Sequence, residues 1–221
     1  MEVLKNTLLV LHVTAGFSSL FTGSLAMILE KGTAKHKRIG QWYFWSMTAV
    51  FVSAILLAII GKLIFLFLVG VFSYYLVLSG KQAYKFMRRE KQNFWDKALH
   101  WVSFAFNLGL IAFGFYLLAR NNSFSFATIC FVFGGVGLAG SIQNILTLRK
   151  EKVTYKVWLK KHIGGMIGGY IATFTAFCVT ALAFLPNLVT WLGPTLLFVP
   201  VIVYWQRKVD GKRKAKRVAA D

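Results

Sequence analysis

Acidic residues are scarce in this chain: 221 residues hold 7 Asp and Glu against 26 Lys and Arg, and only 15% of positions carry a charge. A soluble domain has about 25% charged residues, so a water-exposed fold is excluded at the outset. Two cysteines, Cys130 and Cys178, lie inside apolar segments without metal-like spacing, which excludes a disulfide framework and leaves them as small buried hydrophobes. No phosphate-cradling G-x-x-x-x-G-K-[ST] and no G-x-S-x-G nucleophile occurs. No carboxylate stands in the middle of an apolar run, which argues against proton- or sodium-coupled transport. The last apolar run has no lysine before Lys208, so a retinal Schiff base has nothing to form on.

What the chain has is oil. Apolar residues make up 57%, and Phe alone occurs 21 times. Breaking the hydropathy at charges and turn residues predicts an all-α polytopic bundle of seven transmembrane helices, near 7–29, 39–60, 63–80, 98–119, 124–147, 163–185 and 188–206. The apolar run after MEVLKN lacks a small-residue cleavage site, so it is read as a retained first span. The predicted organisation is a membrane domain over 1–206 and a basic tail over 207–221, whose KRKAKR run is expected against anionic headgroups or as a stop-transfer signal.

Twenty-three of the Lys and Arg residues fall in alternate connections and the tail, and 3, Lys5, Lys62 and Arg120, fall on the other side. The positive-inside rule then places the N-terminus outside and the C-terminus in the cytoplasm. Trp42, Trp45, Trp95, Trp101, Trp158 and Trp205 fall near the basic boundary and Trp191 near the opposite one, where indole rings favour headgroups. Charge at helix ends is explained by orientation, so nucleic acid is not an expected partner.

Hydrocarbon offers no drive for helices to associate, so small residues that permit close approach mark the packing faces. Gly164-xxx-Gly168 and Gly165-xxx-Gly169-xxx-Thr173 on the sixth span and Gly135-xxx-Ala139 and Gly137-xxx-Ser141 on the fifth predict that these two helices touch. Ala15, Ser19 and Gly23 make the first span an interior helix. Packing within one chain is the expectation, and a homo-oligomer stays open. His12 and His100 open short similar segments on helices of opposite direction, as an inverted repeat of spans one to three and four to six would place them.

Polar residues that hydrocarbon should have excluded are the candidates for function. His36, His100 and His162 open three separate spans at the basic boundary. Glu30 and Asp96 share that depth, with Asp96 on the face of His100 by its i,i+4 spacing. Three imidazoles and a carboxylate suit zinc or another transition metal, and two of them suit the axial positions of a b-type haem. A haem implies membrane electron transfer; a metal implies hydrolysis. Thr33 and Asn93 also read as helix N-caps, the second in a capping box with Asp96. His100, Ser103 and Asn107 form a polar stripe that, with Gln143 and Asn144, lines a cavity or supplies interhelical hydrogen bonds. That stripe carries the competing reading, a non-enzymatic small-molecule carrier or a lipid- or partner-binding scaffold. His12, 18 residues from Glu30, is about 27 Å away along one helix and belongs to the outer face.

The stretch HVTAGFSSLFTGSLAMILEKGTAKHKRIGQWYFWSM resembles bacterial predicted membrane proteins grouped as the domain of unknown function 2306. An early His, Gly-rich apolar sequence and a basic His-x-x-x-Gly fall here on His12, Gly16, Gly23, His36 and Gly40. WLKKHIGGMIGGYIATFTAF and the following WLGPTLLFVPVIVYW are similar to the same group, while the likeness fades around spans three to five. The resemblance implies a bacterial inner-membrane location, brings no activity, and marks His12, His36 and His162.

Overall fold

The computed structural model describes residues 2–120 and 123–218, with side chains described up to residue 211. Among these residues it is all-helical: α1 Glu2–Ile28, α2 Ala34–Ile60, α3 Ile64–Met87, α4 Phe94–Ala119, α5 Phe124–Leu148, α6 Tyr155–Ala181 and α7 Asn187–Val218. All seven are long and apolar enough to cross a membrane, as the sequence predicts. The helices outrun the apolar runs at the basic end, where α3 extends seven residues past residue 80 and α6 begins eight before residue 163. Hydropathy reports the hydrocarbon depth, whereas backbone hydrogen bonding continues through the headgroup level. Helix α7 likewise carries the basic tail as helix as far as Val218, through Pro194 and Pro200; the KRKAKR side chains fall outside the described ones.

Local chemistry sets the ends. The Thr33 side chain accepts from His36 N at the start of α2. Asn93 and Asp96 form the reciprocal capping box of α4. Lys62 and Arg89 turn the chain after α2 and α3 with φ of 53° and 61°.

Helices α3 and α6 form the central pair, with the α1–α2 pair on one flank and α4–α5 on the other. Their backbones meet directly: a Cβ on Gly165 would lie 2.6 Å from Gly80 N and 2.7 Å from Leu76 O, and one on Gly80 would lie 2.9 Å from Met166 N. The expected contact between α5 and α6 is therefore corrected. Gly134 and Gly137 of α5 face Ile111 and Asn107 of α4, and Gly165 and Gly169 of α6 face α3. Both helices use small residues, but each uses them on a different neighbour, and α7 packs on both α5 and α6. The neighbour pattern suits two antiparallel three-helix units, since α1 meets α6 as α4 meets α3; α2 also meets α3, while α7 stands where α5 would meet α6.

Two apolar clusters close the interior. Phe72, Leu110, Ile129, Cys130, Phe133 and Trp191 fill the half of the α3–α4–α5–α7 region away from the basic loops. Tyr43, Met47, Val77 and Tyr170 fill the space between α2, α3 and α6. Trp191 and Trp158 are buried in the bundle, Trp191 against Phe65, Phe126 and Phe133, and Trp158 against Phe86. Trp42, Trp45, Trp95 and Trp101 are exposed.

The seam makes a stability prediction. Gly165→Ala should destabilise the protein by about 1–3 kcal/mol through forced separation of α3 from α6. Gly135→Ala, where a Cβ meets open space, should leave the melting temperature in detergent unchanged. Equal melting of both variants would remove α3–α6 contact as the central packing element.

Candidate functional site

Four helices send polar side chains to one place at the basic end. Lys161 Nζ on α6 donates to Asn144 Oδ1 on α5 at 2.6 Å, and Asn144 Nδ2 donates to the Tyr75 hydroxyl on α3 at 2.9 Å. Tyr75 pairs with His100 Nδ1 on α4 at 3.0 Å, and His100 Nε2 with Gln82 Oε1 on α3 at 2.6 Å. Gln82 Nε2 then donates to Asp96 Oδ1 at 3.1 Å and to the Asp96 carbonyl at 3.0 Å. The Asp96 carboxylate ends the chain, taking Lys85 Nζ at 2.7 Å and Asn93 N at 2.8 Å on Oδ2.

With a neutral His100 ring, these donors and acceptors admit one consistent direction. The Gln82 amide spends its N–H on Asp96, so its oxygen must accept from His100 Nε2–H, which leaves Nδ1 to accept from the Tyr75 O–H. The Tyr75 oxygen in turn accepts from Asn144. The resulting sequence of dipoles runs from a lysine ammonium to a carboxylate, an alignment in which each bond polarises the next. For the neutral ring it selects the Nε2–H tautomer of His100.

A second polar run continues inward from this chain. Ser141 of α5 donates to Ser103 Oγ at 3.1 Å, and Asn107 Nδ2 donates to Ser103 Oγ at 3.0 Å and its carbonyl at 2.7 Å. Among the described residues, Asn107 Oδ1, like Thr175 Oγ1 on α6, is buried with no hydrogen-bond partner. Eleven residues separate Asp96 from Asn107, so the polar seam penetrates about 16 Å along α4. Gly137 makes room for this amide, because a Cβ there would come 2.0 Å from Asn107 Oδ1.

No protein-family model, no curated protein and no solved structure matches this chain. Its chemistry has to be argued from its own residues.

The structure places His100, Asp96, Ser103, Asn107 and Asn144 in one network, but it does not gather the proposed metal or haem set. Among the described residues, no group of three His, Cys, Asp or Glu side chains is placed to hold a metal ion. The physical reason is that equal depth on separate helices does not make side chains converge. Both ring nitrogens of His100 are already bonded. His36 Nδ1 pairs with the Ala26 carbonyl of α1 at 3.1 Å, and His162 Nδ1 with the Gly80 carbonyl of α3 at 2.9 Å. Glu30 is exposed in the α1–α2 connection. Gln143 is also exposed, contributing only its carbonyl, to Thr147. These donors fit neither a zinc ion nor a haem shared by the trio, and no chemistry is derived through one. His12 Nδ1 pairs with Val50 O at 3.2 Å and lies 3.1 Å from Ser53 Oγ, so it fastens α1 to α2.

Tyr75, Gln82, Lys85, Lys161 and Ser141 are partners that the sequence reading missed. Tyr75 and Gln82 lie seven residues apart on one face of α3, a signal hidden because the apolar run was closed at residue 80.

Removing the central amide tests the network. Gln82→Leu strands His100 Nε2 and weakens the Asp96 site, and each unpaired buried polar group costs about 1–3 kcal/mol. The variant should melt well below the parent in detergent, while Gln143→Leu should not; equivalence of the two would dissolve the chain of bonds.

Proposed function

We propose that this chain is a facilitative carrier of a small polar solute, in a bacterial inner membrane with its basic end toward the cytoplasm. The observation that carries this reading is the unpartnered Asn107 oxygen at the inner end of a polar seam that begins at the basic face. A buried acceptor without a donor is costly, and a solute hydroxyl or amide N–H satisfies it. Ser103 and Ser141 supply the next polar contacts along the path.

The two ends of the path have different closures. Toward the basic face, Lys85, Asp96 and Gln82 tie the end of α3 to the start of α4. Past Asn107, Leu110 and its aromatic neighbours Phe72, Phe133 and Trp191 form an apolar plug. Loosening the ionic tie admits the solute to the seam, and separation of the plug releases it on the other side, an alternation that needs no coupled ion. The absence of mid-span carboxylates in the sequence agrees with uncoupled transport. The excess of 23 to 3 Lys and Arg supports the orientation, and the resemblance to the domain of unknown function 2306 group supports the membrane.

The test is osmotic relaxation of reconstituted vesicles with glycerol and urea as probes. The parent protein should speed entry of at least one probe over empty vesicles. Asn107→Leu should lower that flux about tenfold, the worth of one hydrogen bond of ~1.4 kcal/mol. Probe entry no faster than in empty vesicles, or flux untouched by Asn107→Leu, overturns the reading. Reporter fusions after residue 90 and residue 121 check the orientation, with the first expected in the cytoplasm and the second outside.

A further inference from the structure

A cavity of about 390 Å³ opens at the basic end of the bundle between α3 and α4, a volume within the range of about 300–1,000 Å³ found for small-ligand sites. Leu78, Lys81, Lys85 and Arg88 line it from α3 and the residue that ends it, at spacings of three and four that put them on one face. Glu90, Trp95, Asp96 and Leu99 line it from the connection and the first turns of α4. Lys81 Nζ donates to Gln41 Oε1 of α2 at 2.6 Å and Lys85 Nζ to Asp96 Oδ2 of α4 at 2.7 Å. The cavity therefore lies over the face of α3 between its two flanking helices.

Its wall changes chemistry along the helix axis. Leu78 and Leu99 belong to the uncharged stretches 63–80 and 98–119, whereas every charged residue of the wall lies outside them. Ten residues separate Leu78 from Arg88, so the cavity runs about 15 Å along α3 from an oily end to an ionic one. Trp95 adds an indole that is 75% exposed. Three cations, Lys81, Lys85 and Arg88, face two acids, Glu90 and Asp96, and the wall keeps one positive charge. Both acids are engaged within it: Asp96 accepts from Gln82, Lys85 and Asn93 N, and Glu90 Oε1 lies 3.5 Å from Arg88 Nε. Lys81 is held by a neutral amide, with its Nζ 5.0 Å from the Phe44 ring, so the surplus charge centres there.

A soluble anion answers the surplus charge but leaves the leucine end unused, and a bare hydrocarbon chain does the reverse. A phospholipid answers both, since it joins a charged phosphate to apolar chains across the same change of medium. Its charge has to match as well. A zwitterionic headgroup brings its own cation against three others, and a doubly charged one overshoots a surplus of one. We propose that this cavity binds the headgroup of a singly charged anionic phospholipid, a phosphodiester such as phosphatidylglycerol. The phosphodiester oxygens accept from Lys81 and Arg88, and the glycerol backbone and first methylenes lie on Leu78 and Leu99. The site stands apart from the carrier reading and does not depend on it.

Binding is measured on the full chain in detergent by native mass spectrometry, with phosphatidylglycerol and phosphatidylcholine of identical acyl chains as probes. Phosphatidylglycerol should bind at least about tenfold more tightly, as one charge-assisted bond requires. Lys81→Met and Arg88→Glu should each weaken it about tenfold or more and leave phosphatidylcholine unchanged. Arg88 is exposed, so its variant should melt like the parent and separate lost binding from lost fold. Lys97→Glu makes the same change of net charge at an exposed position of α4 outside the cavity wall, and it should leave binding intact. Equal binding of the two lipids overturns the site. So does an equal loss from Lys97→Glu and Arg88→Glu, which reduces the effect to general attraction toward a basic protein. Displacement of the lipid by an equal concentration of its glycerophosphoglycerol headgroup without acyl chains overturns the lipid as occupant and assigns a soluble anion.

Discussion

Hydrocarbon leaves a buried polar group no water to turn to, so every amide, hydroxyl and ring nitrogen within the bundle must find its partner on another helix or on its own backbone. In this protein the largest part of that requirement at the basic end is met by one directed sequence of bonds. The Asp96 carboxylate is held by its own helix cap, a lysine and a glutamine, and the glutamine is thereby oriented to take the His100 proton. Reversing any one amide would set two donors or two acceptors against each other along the line. The network therefore fixes the rotation of α3, α4 and α5 about their axes as well as their neighbourhood. Four helices contribute, so none of them can slip without stranding a buried group.

Close backbone approach does the remaining work of holding the bundle. The Gly80–Gly165 crossing leaves no room for side chains between α3 and α6, which gives dispersion contacts their shortest reach where the hydrophobic effect supplies nothing. Burying polar groups is costly and packing small residues is not, so glycine seams alone would suffice for a scaffold. An unmatched Asn107 oxygen at the inner end of a polar seam is a feature that packing alone does not explain.

Periodicity and charge made the number of spans legible, because the hydrocarbon thickness and the alternation of basic loops are properties of the sequence itself. The interior stripe of His100, Ser103 and Asn107 was legible too, as was the Asn93–Asp96 cap, since both are written within one helix. Convergence between helices was not. His36, His100 and His162 share a depth, but the azimuth of each helix is set by neighbours that periodicity does not name. The same gap assigned the small residues of α5 to α6 when they face α4. Gln82 escaped notice for a different reason: it lies beyond the apolar run, in a turn that hydropathy assigns to the loop and hydrogen bonding assigns to α3.

That turn of α3 is where the two polar regions meet. The Gly80 carbonyl holds His162, Lys81 reaches Gln41 on α2, Gln82 spans His100 and Asp96, and Lys85 closes on Asp96. Successive residues on a helix point about a hundred degrees apart, so Lys81 and Gln82 necessarily serve different flanks. A helix turns as a unit, and no rotation of α3 that releases Asp96 from Gln82 and Lys85 leaves the Gly80 carbonyl and the Lys81 ammonium where they were. In the proposed carrier, opening of the polar seam would therefore also move the geometry around His36 and His162. The tight α3–α6 crossing makes that movement stiff, because Gly165 and Gly80 have no side chains through which the strain could be absorbed.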